Sequence, residues 1–258
     1  MGHFRATYLI LIVIIVTPFL FIMQSIFILF GVWQETIPQF YHKFIVKLIG
    51  LQIVQYGKPS KIRPLLIVSN HVSWLDIIVI SSSTKVCFVA KKEVSKWPIF
   101  GALAKLQRTV FIERSIRQVV SQRKEMMRRL SLGQRLSLFP EGTSSDGKSV
   151  LPFKSSLFSL AEMRPNGKPL NIQPVSIAYI GLNGLPISIN DRTVLAWFGE
   201  MSLISHIWGV LTAGPAKVAL IFHNPINFDQ FNSRKELAFK CEKIVSKGLT
   251  NAMSGKFP

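Results

Sequence analysis

Residues 64–76 read "PLLIVSNHVSWLD". An unbroken apolar run, Leu65 to Val68, gives way to small polar residues and then to His71, with Asp76 following after one short turn. A short apolar run bounded by turn-forming residues fits a strand buried on both faces. The following "WLDIIVISSS" has the length and apolar content of a helix, with Ser73 at its N-cap. This strand–turn–helix step then recurs along the chain. "KVCFVAKK" reads as a strand, "WPIFGALAKL" as a helix with Pro98 near its start, and "TVFIER" as a strand. "SIRQVVSQRKEMMRRL" is amphipathic, with Ile116, Val119, Val120, Met127 and Leu130 on one face. "RLSLFPEG" is a strand running into a loop, and "FKSSLFSLAEMR" reads as a helix. "NIQPVSIAYI" and "KVALIFHNPI" are later strands, before a last helix in "SRKELAFKCEKIVSKGL". Strands alternating with helices predict an α/β fold, a sheet with helices on its faces.

The 258 residues are 48% hydrophobic and only 17% charged. Much of the excess lies between Tyr8 and Trp33, "YLILIVIIVTPFLFIMQSIFILFGVW", which carries no charge. About 20 apolar residues suffice to cross a bilayer. A secretory signal would have a shorter apolar region, about 7–15 residues, and a small-residue cleavage site. Pro18 removes a helix hydrogen bond, so a kinked span and two half-helices in one leaflet are both open. The next stretch, "ETIPQFYHKFIVKLIG", fits a helix at the interface, with Lys43 and Lys47 one turn apart. The chain thus divides into a membrane-anchoring segment, residues 1–56, and a catalytic domain, residues 57–258.

A net charge of +18 favours anionic partners. The basic residues are spread along the chain with no nucleic-acid-binding module, and the apolar segment favours an anionic membrane surface instead. The positive-inside tendency places the basic body in the cytoplasm, and an N-terminus that crosses would lie outside. The cysteines, Cys87 and Cys241, have no CxxC or mixed Cys/His spacing, so neither a disulfide framework nor a metal site is expected.

In α/β sheets, chemistry gathers in loops at the carboxyl ends of strands. His71 with Asp76, Arg114 after "VFIE", and "FPEGTSS" (Phe139–Ser145) all fall at such ends. A carboxylate bonded to one imidazole nitrogen fixes the tautomer and leaves the other nitrogen as a base. No G-x-S-x-G elbow supplies a protein nucleophile, so the simplest chemistry is activation of a substrate hydroxyl by His71. A histidine that only caps the turn would give the same spacing. Gly142 permits a tight turn, and backbone N–H groups there, with Thr143 and Ser144, can hold phosphate or ester oxygens. Glu141 can accept from a polyol, fix the loop, or sit as a solvated carboxylate. Arg114 and Lys154 can clamp an anion, or belong to a solvated face. His3, His42, His206 and His223 lack an acidic partner at useful spacing and read as structural or surface residues. His206 sits in "SLISHIWGV", an interfacial segment with Trp208 as anchor.

Taken in order, "NHVSWLD", "VFIERS", "FPEGTSS" and "IQPVSIAY" resemble the four blocks of the glycerolipid acyltransferase family, which includes the 1-acyl-glycerol-3-phosphate acyltransferases. The resemblance spans Arg63 to Tyr179, and the later "AWFGEMSLISHIWGV" is similar to bacterial members. It implies a mixed sheet flanked by helices, with a membrane-embedded N-terminal segment. It implies His71 as general base, Asp76 as its partner, and Arg114 as a ligand for the acceptor's glycerol phosphate. Phe139, Pro140, Glu141, Gly142 and Thr143 match the second acceptor-binding block, with Lys154 just beyond, and Pro174 matches the fourth. The implied reaction moves an acyl chain from acyl-CoA or acyl carrier protein to a lysolipid, without metal or other cofactor. The first acceptor implied is 1-acyl-sn-glycerol 3-phosphate, giving phosphatidic acid at the cytoplasmic side of the inner membrane. One departure matters: Ser155 and Ser156 follow "PFK", where many members carry Arg-Gly or Gly. That form is similar to a bacterial subset that includes lyso-ornithine lipid acyltransferases, so lyso-ornithine lipid is the alternative acceptor. A rival of a different class is a non-enzymatic membrane-surface protein, in which His71 would be dispensable.

Overall fold

The computed structural model describes residues 1–113 and 116–257, without the side chains of residues 116–119. Its centre is a mixed sheet, nine-stranded among the described residues. The strands are β1 (Gln52–Tyr56), β2 (Leu65–Ser69), β3 (Cys87–Lys91), β4 (Val110–Ile112), β5 (Arg135–Leu138), β6 (Asn171–Leu182), β7 (Leu185–Pro186), β8 (Ala216–Phe222) and β9 (Ile226–Asn227). The order is β1-β8-β6-β2-β5-β3-β4, with β7 and β9 added to β6. β2 is buried at every position and lies parallel to both β5 and β6. That is why its sequence is continuously apolar rather than alternating. β3 and β4 continue the parallel set, so β2, β5, β3 and β4 all end on one edge of the sheet. β8 runs antiparallel to β6.

Among the described residues, seven α-helices follow the same chain order: α1 (Gly2–Leu29), α2 (Thr36–Leu48), α3 (Leu75–Ser83), α4 (Phe100–Leu106), α5 (Ile116–Ser131), α6 (Leu203–Ala213) and α7 (Arg234–Met253). Alternate residues of β6 serve two cores. Val175, Ile177 and Tyr179 pack with α1, α2, α3 and α6, through Leu9, Ile45, Val79 and Val210 among others. Ile172 faces the other core, with Met126 and Leu130 of α5 and Leu237, Cys241 and Val245 of α7. Each fully buried Leu, Ile or Phe side chain contributes about 1.5–3 kcal/mol by leaving water. This double facing accounts for the apolar runs that made the strands recognisable.

Four expectations need correction. Pro18 does not break the first apolar stretch: α1 runs unbroken from Gly2 to Leu29, so the two half-helices do not occur. Neighbouring helices hold the chain on both sides of the proline, with Thr17 hydrogen-bonded to Tyr41 of α2. "FKSSLFSLAEMR" forms a 3₁₀ helix, Ser155–Glu162, rather than an α-helix. On α5, Val120 is exposed, while Met126 is buried and takes the place expected for an apolar contact. Ser73 gives no side-chain cap to α3. The Asp76 carboxylate, in the first turn, instead reaches back to accept the N–H groups of Val72 and Ser73, which precede the helix.

α1 is long and apolar enough to cross a membrane. At about 1.5 Å per residue it extends over about 42 Å. It is nevertheless tied to the body near both ends. The Arg5 guanidinium donates to the carbonyls of Leu211 in α6 and Ile49 after α2. Buried Gln24 donates to the carbonyls of Gln34 and of Leu106 in α4. Between these ties Ile14, Ile15, Phe19 and Ile22 are uncovered. β1 pairs with β8, so the sheet begins at Gln52, before residue 57.

Candidate active site

β2 ends at Ser69, and Asn70 locks the turn that follows. Its amide donates to the Ile177 carbonyl and accepts the Ile177 N–H, both at 2.9 Å. His71 is thereby held over the carboxyl edge of the sheet, partly open to solvent. Its Nδ1 lies 2.8 Å from Asp76 Oδ2. The same carboxylate oxygen accepts from the backbone of Val72 at 2.6 Å and Ser73 at 2.9 Å. Tyr179 completes the set by donating its hydroxyl to Oδ1 at 2.8 Å. Asp76 is fully buried. An isolated buried carboxylate is costly, and these donors are what make an ionised one tenable there. With Nδ1–H directed at Asp76, Nε2 is the ring nitrogen able to take a proton.

The loop after β5 closes on this histidine. The Phe139 ring stacks on the imidazole with centroids 4.0 Å apart. The Ser145 N–H donates to the His71 carbonyl at 2.8 Å. Glu141 is neither solvated nor displayed to a ligand. Its carboxylate is buried and accepts the His71 N–H at 2.8 Å and the Leu151 N–H at 3.1 Å. Of the readings open from sequence, the structure selects the one in which Glu141 fixes the loop. Burial pushes its pKa up to about 8, against the pull of the two backbone donors. Gly142 sits at φ +69°, and a Cβ there would lie 2.9 Å from Lys154 Nζ. Lys154 therefore folds over the glycine, with its own N–H on the Pro140 carbonyl. Thr143 is exposed beside it, on the rim.

The structure thus brings His71, Asp76, Phe139, Pro140, Glu141, Gly142 and Lys154 to one edge. Arg114 lies outside the described residues. β4 ends two residues before it, and Glu113 pairs with Lys92. Pro174 lies in β6 beside Val68 of β2, five residues before Tyr179. Sequence reading assigned Tyr179 no part in the site. Its distance along the chain hid the contact, and the only signal was its place at the end of "IQPVSIAY". His223 is structural: its Nε2 lies 2.8 Å from Ser176 Oγ, which also meets the Val245 carbonyl under α7.

Such a site, a buried carboxylate orienting a histidine at the carboxyl edge of a mixed sheet, is equipped for general-base activation of a hydroxyl or of water. Comparison with known proteins narrows this chemistry. Residues 50–178 match the family model described as Acyltransferase. The chain is 41% identical to a lyso-ornithine lipid O-acyltransferase of Brucella abortus, over 87% of this chain and 85% of that protein. It is 38% identical to one from Rhizobium meliloti, over 86% and 78%. It is 39% identical to a 1-acyl-sn-glycerol-3-phosphate acyltransferase of Neisseria gonorrhoeae, over 76% and 73%. The crystal structure of the acyltransferase PlsC from Thermotoga maritima shares the fold, with TM-score 0.66, 23% identity and 98% of both chains covered. The chain belongs to the glycerolipid acyltransferase family and is an O-acyltransferase.

Proposed function

We propose that this chain transfers an acyl group from a thioester to the free hydroxyl of a membrane lysolipid, with His71 as general base and Asp76 as its orienting partner. His71 Nε2 takes the hydroxyl proton as the oxygen attacks the thioester carbonyl. The tetrahedral intermediate collapses with loss of the thiolate, which takes the proton from the imidazolium. Oxygen gains the acyl group, sulfur gains the proton, and the histidine returns neutral. The thioester, from acyl-CoA or acyl carrier protein, is already activated, so the reaction requires no metal or other cofactor. The observation that carries this reading is the 2.8 Å contact between His71 Nδ1 and the fully buried Asp76 carboxylate.

Lyso-ornithine lipid is the acceptor favoured by likeness. The Brucella and Rhizobium proteins match more of this chain than the Neisseria protein does. Ser155 and Ser156 after "PFK" support the same acceptor. The 39% identity to the Neisseria protein supports lysophosphatidate as the second reading. Phe139 to Thr143 and Lys154 frame the acceptor's headgroup, Glu141 by holding the loop in place, and Arg114 is a further candidate ligand for it. The uncovered side of α1 lies in the cytoplasmic leaflet of the inner membrane, where the +18 charge meets anionic headgroups.

The test supplies membranes containing the protein with labelled acyl thioester and either lyso-ornithine lipid or lysophosphatidate, with His71→Ala as control. Acylation of one acceptor, abolished in the variant, supports the reading and names the acceptor. Equal activity of the variant, or release of free fatty acid instead of acylated lipid, overturns it.

A further inference from the structure

We propose that α6 is a second membrane-seated element, lying in the same anionic leaflet as α1 and joined directly to the catalytic loop. This rests on the placement of α1 given above.

From Met201 to Ala216 the chain carries no Lys, Arg, Asp or Glu. α6 occupies most of that stretch and is only half covered. Val210 and Leu211 enter the core, while Ile204 is 75% exposed and Trp208, one turn on, is 37% exposed. Met201, just before the helix, is also exposed. An apolar stripe with tryptophan at its edge suits the headgroup–acyl boundary of a bilayer.

α6 shares its open side with α1. The Arg5 guanidinium donates to the Leu211 carbonyl, and the His3 ring stacks on Trp208 with centroids 5.7 Å apart. A leaflet that accepts the uncovered residues of α1 therefore meets those of α6. At the other end of α1, Gln24 bonds to the carbonyl of Leu106 in α4, whose neighbour Lys105 is exposed. Lys96 and the exposed Ile99 precede α4, repeating the pairing of a cation with an apolar contact. Glu200 stands at the α6 border as an exposed acid, against a chain with 31 basic residues and 13 acidic ones. The charge favours an anionic lipid surface as occupant over a second copy of this strongly basic chain, which would repel it.

The inner side of α6 reaches the site. Trp74, between His71 and Asp76, donates its indole N–H to His206 Nδ1 at 3.0 Å. The Trp197 N–H, in the segment leading into α6, donates to the Val72 carbonyl at 2.9 Å. The element that touches the lipid also braces both sides of the catalytic turn. Seating α6 in the leaflet would hold the histidine at the depth where a lysolipid hydroxyl emerges.

The experiment places a polarity-sensitive fluorophore on the full-length protein at Ile204→Cys, at Ile15→Cys on α1, or at Lys247→Cys on α7. The native cysteines, Cys87 and Cys241, are buried. α7 packs on the opposite face of the sheet, so its probe reports water. Each protein is bound to phosphatidylglycerol-rich vesicles with or without spin-labelled acyl chains. The expected result is a blue shift and loss of about half the emission for the Ile204 and Ile15 probes, and no change for Lys247. Quenching at Ile15 but not Ile204 overturns the proposal and leaves the α1 placement standing. Quenching at neither overturns both. A blue shift at Ile204 without lipid quenching, in a chain that sediments as a dimer, assigns the face to a second copy and also overturns the proposal.

Discussion

The Tyr179 hydroxyl donates to Asp76 Oδ1 at 2.8 Å, joining residues 103 positions apart. It ties Asp76 to β6, and the aspartate's other oxygen holds the histidine. Burial and the adjacent carboxylate raise the phenol pKa well above its ordinary value, so Tyr179 stays a neutral donor through the working pH range. In Tyr179→Phe one of the donors that position the Asp76 carboxylate, and through it the imidazole, is lost. At neutral pH the loss in kcat/KM is about tenfold, in keeping with one hydrogen bond to a charged group worth about 1.5–3 kcal/mol. A lower melting temperature with kcat/KM unchanged below the transition would assign Tyr179 a packing role only.

Asp76→Asn separates orientation from folding. The amide accepts fewer of the donors aimed at it and favours the wrong imidazole tautomer, so turnover falls by about 10²–10⁴. Asp76→Ala leaves the Val72 and Ser73 N–H groups and the Tyr179 hydroxyl without their acceptor, and adds a loss of stability. Turnover and thermal melting on both variants check this. Normal turnover in Asp76→Asn would remove the aspartate from the mechanism.

Glu141 makes stability depend on pH. Its pKa is about 4.5 when unfolded and is pushed up to about 8 in the fold. The folded state therefore binds this proton more tightly than the unfolded state does. The associated stability is complete below about pH 4.5 and is lost as pH rises through about 8, amounting to a few kcal/mol. Melting temperature measured from pH 5 to pH 9 should decline more steeply for wild type than for Glu141→Gln. Parallel curves would mean that the carboxyl is ionised throughout.

Gly142→Ala meets two obstacles. A left-handed φ of +69° strains any residue with a Cβ, and that Cβ would press on Lys154 Nζ at 2.9 Å and Cδ at 3.2 Å. The lysine tip can swing away, so the fold survives with a cost of about 1 kcal/mol. Lys154 then leaves the rim, and KM for the lysolipid rises while KM for the thioester does not. A rise in the thioester KM alone would move this loop to the donor side.

Gly248→Ala tests the other face of the sheet. A Cβ there would lie 2.3 Å from Ser176 Oγ and 2.7 Å from His223 Nε2. Overpacking of this kind costs about 1–3 kcal/mol. The melting temperature falls, while kcat at a temperature below the transition is unchanged. A matching loss of kcat would show that α7 supports the site directly.

Local sequence carried the parallel half of the sheet, because strands buried on both faces are written as continuous apolar runs. "PLLIVS" is the clearest case. It also carried the His71–Asp76 pair, since a five-residue separation closes within one turn and the start of a helix. The role of Glu141 was not legible. A glutamate after proline in a Gly-Thr-Ser loop has the composition of solvent-facing chain. Only the approach of Leu151 and the His71 backbone turns it inward.

What the sequence by itself determined was the chemistry on offer: an apolar anchor, an α/β order, a histidine with its carboxylate, and a glycine loop. These depend on neighbours along the chain, whose spacing is set by covalent geometry. What only the tertiary structure decided was how far each residue reaches across the fold. It tied α1 down near both ends through Arg5 and Gln24, brought Tyr179 to Asp76, and set Trp74 against His206. Each of these contacts follows from strand register and helix packing, which are settled by how two opposed cores fill together rather than by any one segment.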